Sequence, residues 1–183
     1  EMHYIENETH LSLCENTDNN LPIFITESGN PISDPSAILE YLDEFYELVE
    51  DDLSIEEKAY VRMWFNRGVT ACERLNKALL SETEFEFHDS LKHVYSLLAQ
   101  ADKASKSEPY FQGLFLSNID FAWIPFLMRT TVLKELAEYD VLKGFPNLYV
   151  LRKELIEQSN SESPSRAEIF RAFNEIFISQ NNF

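Results

Sequence analysis

Asp34-Pro35-Ser36 is the tripeptide best placed for chemistry in this chain. An Asp followed by Pro predicts a helix start, with Asp34 as N-cap and Pro35 at the first helical position, where a missing N–H costs least. Cap and ligand group are compatible roles for Asp34, because a helix N-terminus favours anions nearby. Asp120 also has the type of a catalytic acid. Its spacing from Ser117 offers a sufficient structural reading, a capping box in which the serine caps the Asp120 amide and the carboxylate returns to the Ser117 amide. Cys14 lies among acidic residues, which raise a thiol pKa and lower its reactivity, so it is not expected to be a nucleophile. The histidines at positions 3, 10, 88 and 93 have no metal-ligand spacing, since His88 and His93 are five apart and fall on different helix faces. No metal site is expected.

These residues need elements to hold them. Met2 to Glu6 reads as a short strand, and Asn7 to Asn20 as irregular. Leu21 to Thr26 is a β-rich apolar run opened by Pro22; it ends in Glu-Ser-Gly-Asn before Pro31-Ile32, which predicts a hairpin. The helix from Asp34-Pro35 runs to about Tyr46, with Ile38, Leu39, Leu42 and Phe45 on one stripe. Acidic residues from Glu47 onward read as a linker over 47–53, dividing residues 1–46 from 54–183. Beyond it all long segments have helical period. Ser54 and Glu57 form a capping box for a helix to about Leu80, and a second helix runs from about Phe85 to Ala104 with Phe87, Leu91, Tyr95 and Leu98 on one face. The helix begun by Ser117 to Asp120 is expected to be stapled by Leu116 on Phe121 and kinked at Pro125. Being apolar nearly all round, it is expected to be covered on all sides. Pro146 starts a helix to about Gln158, and a last one is expected from Ser165, burying Ile169, Phe173, Ile176 and Phe177.

Composition narrows the function classes. The 183 residues are 44% hydrophobic with only four Gly, which suits a helix-rich globular protein and argues against a Gly-rich phosphate loop. No apolar run approaches the roughly 18 residues a membrane helix needs. Residues 1–57 hold sixteen Asp and Glu and no Lys or Arg; residues 58–183 hold sixteen acids and fifteen bases. The acidic part repels phosphate backbones and anionic lipid, so neither nucleic acid nor membrane is an expected partner, while a basic protein is a possible one. Two cysteines far apart cannot staple a secreted fold, and a cytoplasmic protein is expected. The opening Glu1-Met2-His3-Tyr4 reads as that of a fragment or processed chain.

Four features in order carry a resemblance. They are Leu21-Pro22 opening a strand, Asp34-Pro35-Ser36-Ala37-Ile38 opening a helix, Tyr110-Phe111-Gln112-Gly113 before the Ser117 to Asp120 box, and Gly144-Phe145-Pro146-Asn147 near the end. Over nearly its whole length the chain resembles the glutathione transferase superfamily, closest to soluble bacterial members. The resemblance implies an α+β architecture, a thioredoxin-like N-terminal domain on an all-helical C-terminal domain, in a homodimer. It implies glutathione as co-substrate, held by Leu21 and a cis Pro22 and by Asp34, Pro35 and Ser36. It also implies a pocket for a small apolar electrophile lined by Met63, Trp64, Arg67, Trp123 and Arg129.

The chain departs from that family in three places. The family's first strand and helix, with the Tyr, Ser or Cys that acts on the thiol, are missing from this chain, so no catalytic residue is named. Pro35 stands where similar proteins have Ser, which removes a hydroxyl and an N–H that Ser36 would have to replace. Without any cation in residues 1–57, the glycine carboxylate of glutathione has no partner there. The expected function is glutathione transfer to, or exchange with, an electrophilic or disulfide substrate. The alternative is a non-catalytic interaction module that binds a basic protein, as in similar transcription-associated bacterial proteins.

Overall fold

The structure is a computed structural model that describes residues 23–46, 53–106, 109–158 and Arg171. Leu21, Pro22, Cys14, the Met2 to Glu6 strand, the acidic stretch 47–52 and the expected last helix lie outside the described residues. The chain divides into two compact units, residues 1–53 and 54–183.

In the first unit, β1 (Phe24–Ile25) pairs antiparallel with β2 (Pro31–Ile32), with Phe24 opposite Ile32 and Ile25 opposite Pro31. The turn between them closes through Gly29, whose φ of 83° suits a residue without Cβ. Thr26 ties the turn from both sides, its hydroxyl and carbonyl accepting from the amides of Asn30 and Gly29 at 3.1 and 2.9 Å. Helix α1 (Pro35–Tyr46) follows. Ile38 is buried and Phe24 packs on Tyr41 at 5.4 Å between ring centroids. The expected stripe stops short of Phe45. That ring is 49% exposed and stacks on Tyr41 at 6.0 Å. Its burial was expected from helical period alone, which cannot show how far the supporting surface extends.

The second unit is built from α2 (Ile55–Leu79), α3 (Glu84–Ala104), α4 (Asn118–Ala137) and α5 (Pro146–Gln158). Helix α2 packs on both α3 and α4, and α5 lies against α3 and α4. Each start has a chemical cause. The Ser54–Glu57 box closes α2, with the Ser54 amide donating to Glu57 Oε2 at 2.8 Å. Thr83 caps α3 by accepting from the Glu86 amide at 3.2 Å. Asp102 caps α5 from another helix, its Oδ1 taking the amides of Asn147 and Leu148 at 2.8 and 3.0 Å and its backbone carbonyl the Asn147 side chain at 2.7 Å.

The core centres on Trp123, Phe111, Phe126, Leu75, Leu91, Leu98, Ile119 and Leu127, all fully buried. Burial of this kind contributes about 25 cal/mol per Å² of apolar surface removed from water. Gly68 permits the close crossing of α2 and α4. A Cβ there would lie 2.8 Å from Trp123 Cδ1 and 3.1 Å from the Ala122 carbonyl carbon.

Helix α4 is less enclosed than its composition predicts. Phe121 is 53% exposed, Pro125 is exposed, and Leu116, the expected staple partner, is 42% exposed. Positions 121 and 125 share a face one turn apart, so the helix keeps a solvent-facing apolar stripe. Average hydrophobicity does not distinguish such a stripe from a buried one.

Candidate functional site

The start of α1 presents the first site. Asp34 is exposed, and its Oδ1 accepts from the Ala37 amide at 2.9 Å and from the Ser36 hydroxyl. The Asp34 carbonyl takes the Ile38 amide at 2.9 Å, completing an N-cap. The Ser36 hydroxyl first, and the Ala37 amide second, hold the Asp34 carboxyl below the usual carboxylate range. Asp34 is therefore ionised across the neutral range and open to solvent. Pro35 opens the helix and has no N–H to offer. Ser36 does not stand free to replace the lost hydroxyl of the family pattern, because its own hydroxyl is turned back on Asp34. Such a helix start can meet an ammonium group with the carboxylate.

A second group sits in the helical unit, on α2. Trp64 is buried at 3% exposure and touches Phe111, with ring centroids 5.2 Å apart, and Tyr60, edge-on at 6.2 Å. The Arg67 guanidinium lies over the Trp64 ring, 4.5 Å from its centroid. Met63, one residue earlier, is 37% exposed. Trp123 is fully buried behind Trp64 and donates its indole N–H to the Trp64 carbonyl at 3.2 Å. The structure thus places Met63, Trp64 and Arg67 within one turn of α2, with Trp123 bonded to Trp64 from inside the core.

Arg129 has a different neighbourhood. Its Nη1 donates to the Pro125 carbonyl at 2.9 Å, occupying an acceptor one turn back on its own helix. It also faces Cys72, whose thiol is pushed up mainly by burial, with the Arg129 charge opposing the shift. A thiol so placed is mostly protonated at neutral pH and is a poor nucleophile.

Ser117 and Asp120 hold the entrance to α4. A capping box is present, and the fully buried Asp120 reaches further than a box requires. Its Oδ2 accepts from the Ser117 amide and hydroxyl, both at 2.8 Å, while Oδ1 accepts from the Phe111 amide at 2.9 Å. All three bonds fasten the Phe111 to Ser117 loop to the helix. A buried carboxylate with three donors has a structural task and no open face for substrate.

Some residues that shape this unit were missed in the sequence. Asp140 bridges Lys134 at 3.1 Å and the buried Arg152 at 3.2 Å, and the Tyr95 and Tyr139 hydroxyls bond at 3.0 Å. These pairs join α3, α4, α5 and the turn before α5, and no local spacing announces them. Thr83 with Glu86 did carry a signal, the Thr-x-x-Glu pattern of a helix start.

No protein-family model matches the sequence, and no curated protein matches it. Solved structures do. Glutathione transferase Omega 3C from Trametes versicolor is 19% identical, with 91% of this chain and 72% of that chain covered at a TM-score of 0.70. A glutathione S-transferase from Rhodospirillum rubrum F11 is 20% identical, covering 90% and 76% at 0.59. Leishmania TDR1, a trimeric glutathione transferase, is 20% identical, with 87% of this chain but 36% of that longer chain covered at 0.56. With a β-hairpin and capped helix followed by four packed helices, this chain has the fold of the glutathione transferases.

Proposed function

We propose that the protein is a glutathione transferase-like enzyme that joins or exchanges the thiol of glutathione with an electrophilic or disulfide substrate. The observation that carries the reading is the ionised, solvent-open Asp34 at the start of α1, on a fold shared with glutathione transferases. Asp34 would hold the ammonium of the γ-glutamyl end through its ionised, solvent-open carboxylate. Leu21 and Pro22 are assigned to the cysteinyl backbone, and Pro35 and Ser36 complete the helix start. Glutathione supplies the nucleophilic sulfur when bound, and the residue that takes its proton is not assigned. Met63, Trp64 and Arg67 form the face offered to the second substrate, with Trp123 holding Trp64 in place and Arg129 further along α4. The protein is proposed to work in the cytoplasm as a homodimer, with residues 1–46 and 54–183 as its domains joined by an acidic linker.

A test is retention on immobilised glutathione with elution by the free tripeptide, alongside conjugation of chlorodinitrobenzene. The protein is expected to bind and conjugate, and Asp34→Asn to lose about tenfold or more in glutathione affinity, as befits loss of one charge-assisted contact. A protein that neither binds nor conjugates refutes the enzyme reading.

One observation favours a second reading. Residues 1–57 carry sixteen acids and no base, a field suited to a basic protein partner. A non-catalytic module would ignore glutathione and bind such a partner with an affinity that falls steeply with salt.

A further inference from the structure

Trp64 carries a donor with no acceptor among the described residues. Its ring is 3% exposed, and its buried indole N–H meets no hydrogen-bond partner in the described part of the chain. Trp123, the same residue type on the neighbouring helix, does place its N–H, on the Trp64 carbonyl. Buried donors left unpaired are rare in native structures, and each calls for a reason. The side chain lying over the Trp64 ring is Arg67. Among the described residues no ion pair includes Arg67, so the ring contact is what holds it. A cation–π contact of this kind is modest, and a four-torsion side chain can lift away from it.

These two groups together contain only donors. A guanidinium presents a planar fork matched to a carboxylate, and an indole N–H can only donate. Beside them on α2, Met63 and Tyr60 expose 37% and 39% of their surfaces, one residue and one turn before Trp64. The composition is that of a subsite with a cationic, donor-only end and an apolar bed, suited to a ligand with an anionic end. From this we infer that this face of α2 selects a second substrate bearing a carboxylate on an apolar or aromatic body. Arg67 swings off the ring to pair with the carboxylate, Trp64 donates to one of its oxygens, and Met63 and Tyr60 take the apolar part. The inference rests on the proposed pocket residues and names the substrate class they would accept, whereas binding at this face requires no glutathione.

The chain has two tryptophans, so proton–nitrogen correlation spectra contain two indole signals that can be followed separately. Chloronitrobenzoate and its neutral amide, chloronitrobenzamide, are titrated in the absence of glutathione. The carboxylate is expected to move the Trp64 signal saturably downfield and leave Trp123, already bonded, nearly in place. The amide should bind about tenfold more weakly, and Arg67→Met should weaken the carboxylate about tenfold with no change for the amide. Trp64→Phe keeps a ring, removes the donor and assigns the signal. If that variant fails to fold, calorimetry on Arg67→Met decides by itself. Equal binding of carboxylate and amide, a Trp64 signal that stays still, or an Arg67→Met variant with undiminished carboxylate affinity overturns the inference. A protein that binds the carboxylate as described yet retains no glutathione overturns the proposed function and leaves this inference standing. Conjugation of a neutral electrophile without any preference for the carboxylate does the reverse.

Discussion

Asp120→Ala removes the acceptor of three hydrogen bonds at once, and its cost can be worked from their surroundings. The Phe111 amide, 2.9 Å from Oδ1, belongs to a fully buried residue and is left without a partner. The Ser117 amide and hydroxyl, each 2.8 Å from Oδ2, also lose theirs, although a hydroxyl can rotate toward another acceptor. A stranded buried donor costs about 1–3 kcal/mol, and bonds to a charged acceptor are the stronger kind. Counting two stranded amides and a relaxed hydroxyl gives about 4 kcal/mol, a large share of the roughly 5–15 kcal/mol that holds a domain folded. Asp120→Asn should cost about 2 kcal/mol, since one oxygen survives while the new NH₂ faces a donor. Ser117→Ala should cost about 1 kcal/mol, the usual value of a lost cap. Urea unfolding followed by tryptophan fluorescence isolates the effect, because Trp64 and Trp123 both belong to the 54–183 unit. With a slope near 2 kcal/mol per molar, the midpoint should fall by about 2 M for Asp120→Ala and about 0.5 M for Ser117→Ala. Equal shifts for the two variants, or a shift under about 0.5 M for Asp120→Ala, would refute a carboxylate acting as the hub of the loop.

Gly68→Ala should lower the melting temperature by several degrees, because a methyl group 2.8 Å from Trp123 Cδ1 overpacks the crossing by about 1–3 kcal/mol, more than the gain in helix propensity. Asp102→Ala should cost about 1–2 kcal/mol and speed hydrogen exchange at the Asn147 and Leu148 amides before the rest of α5 responds. Burial alone would raise the Asp140 carboxyl, but Lys134, Arg152 and the Leu142 amide outweigh it and leave the pKa lowered. A lowered folded value means that this contribution is present above the unfolded pKa of about 3.9 and is lost as pH falls through the folded one. The stability of wild type relative to Asp140→Asn should therefore narrow below about pH 4 in parallel chemical melts, and a constant gap down to pH 2 would contradict the assignment.

How much of this was legible depended on the range of the interaction that decided it. Helix starts are local, and Ser54 with Glu57, Asp34 with Pro35 and Ser117 with Asp120 all appear where their spacing places them. Asp120 shows where a local reading runs out. Its bond to Phe111 spans nine residues and turns a cap into a loop anchor, and no capping pattern contains that third donor. Asp102 goes further still, capping a helix that begins more than forty residues later, so its task depends on the way α3 meets α5. Burial failed for the same reason at Phe45 and Phe121. Period tells which residues share a face, while exposure depends on whether another element arrives to cover it.

The two tryptophans carry this distinction into the candidate site. Both occur at helical spacing in apolar surroundings, and sequence gives them the same meaning. Packing separates them. Gly68 lets Trp123 come close enough to α2 for its N–H to reach a backbone carbonyl, and the residue becomes core. Trp64 supplies that carbonyl, while its own N–H has no acceptor among the described residues and its ring lies under an arginine with no acid among its described partners. Function in this unit is therefore expected at Trp64, whose buried donor has no acceptor among the described residues and whose ring carries the Arg67 guanidinium, and not at Asp120, whose carboxylate is occupied by three donors despite its more catalytic type of side chain.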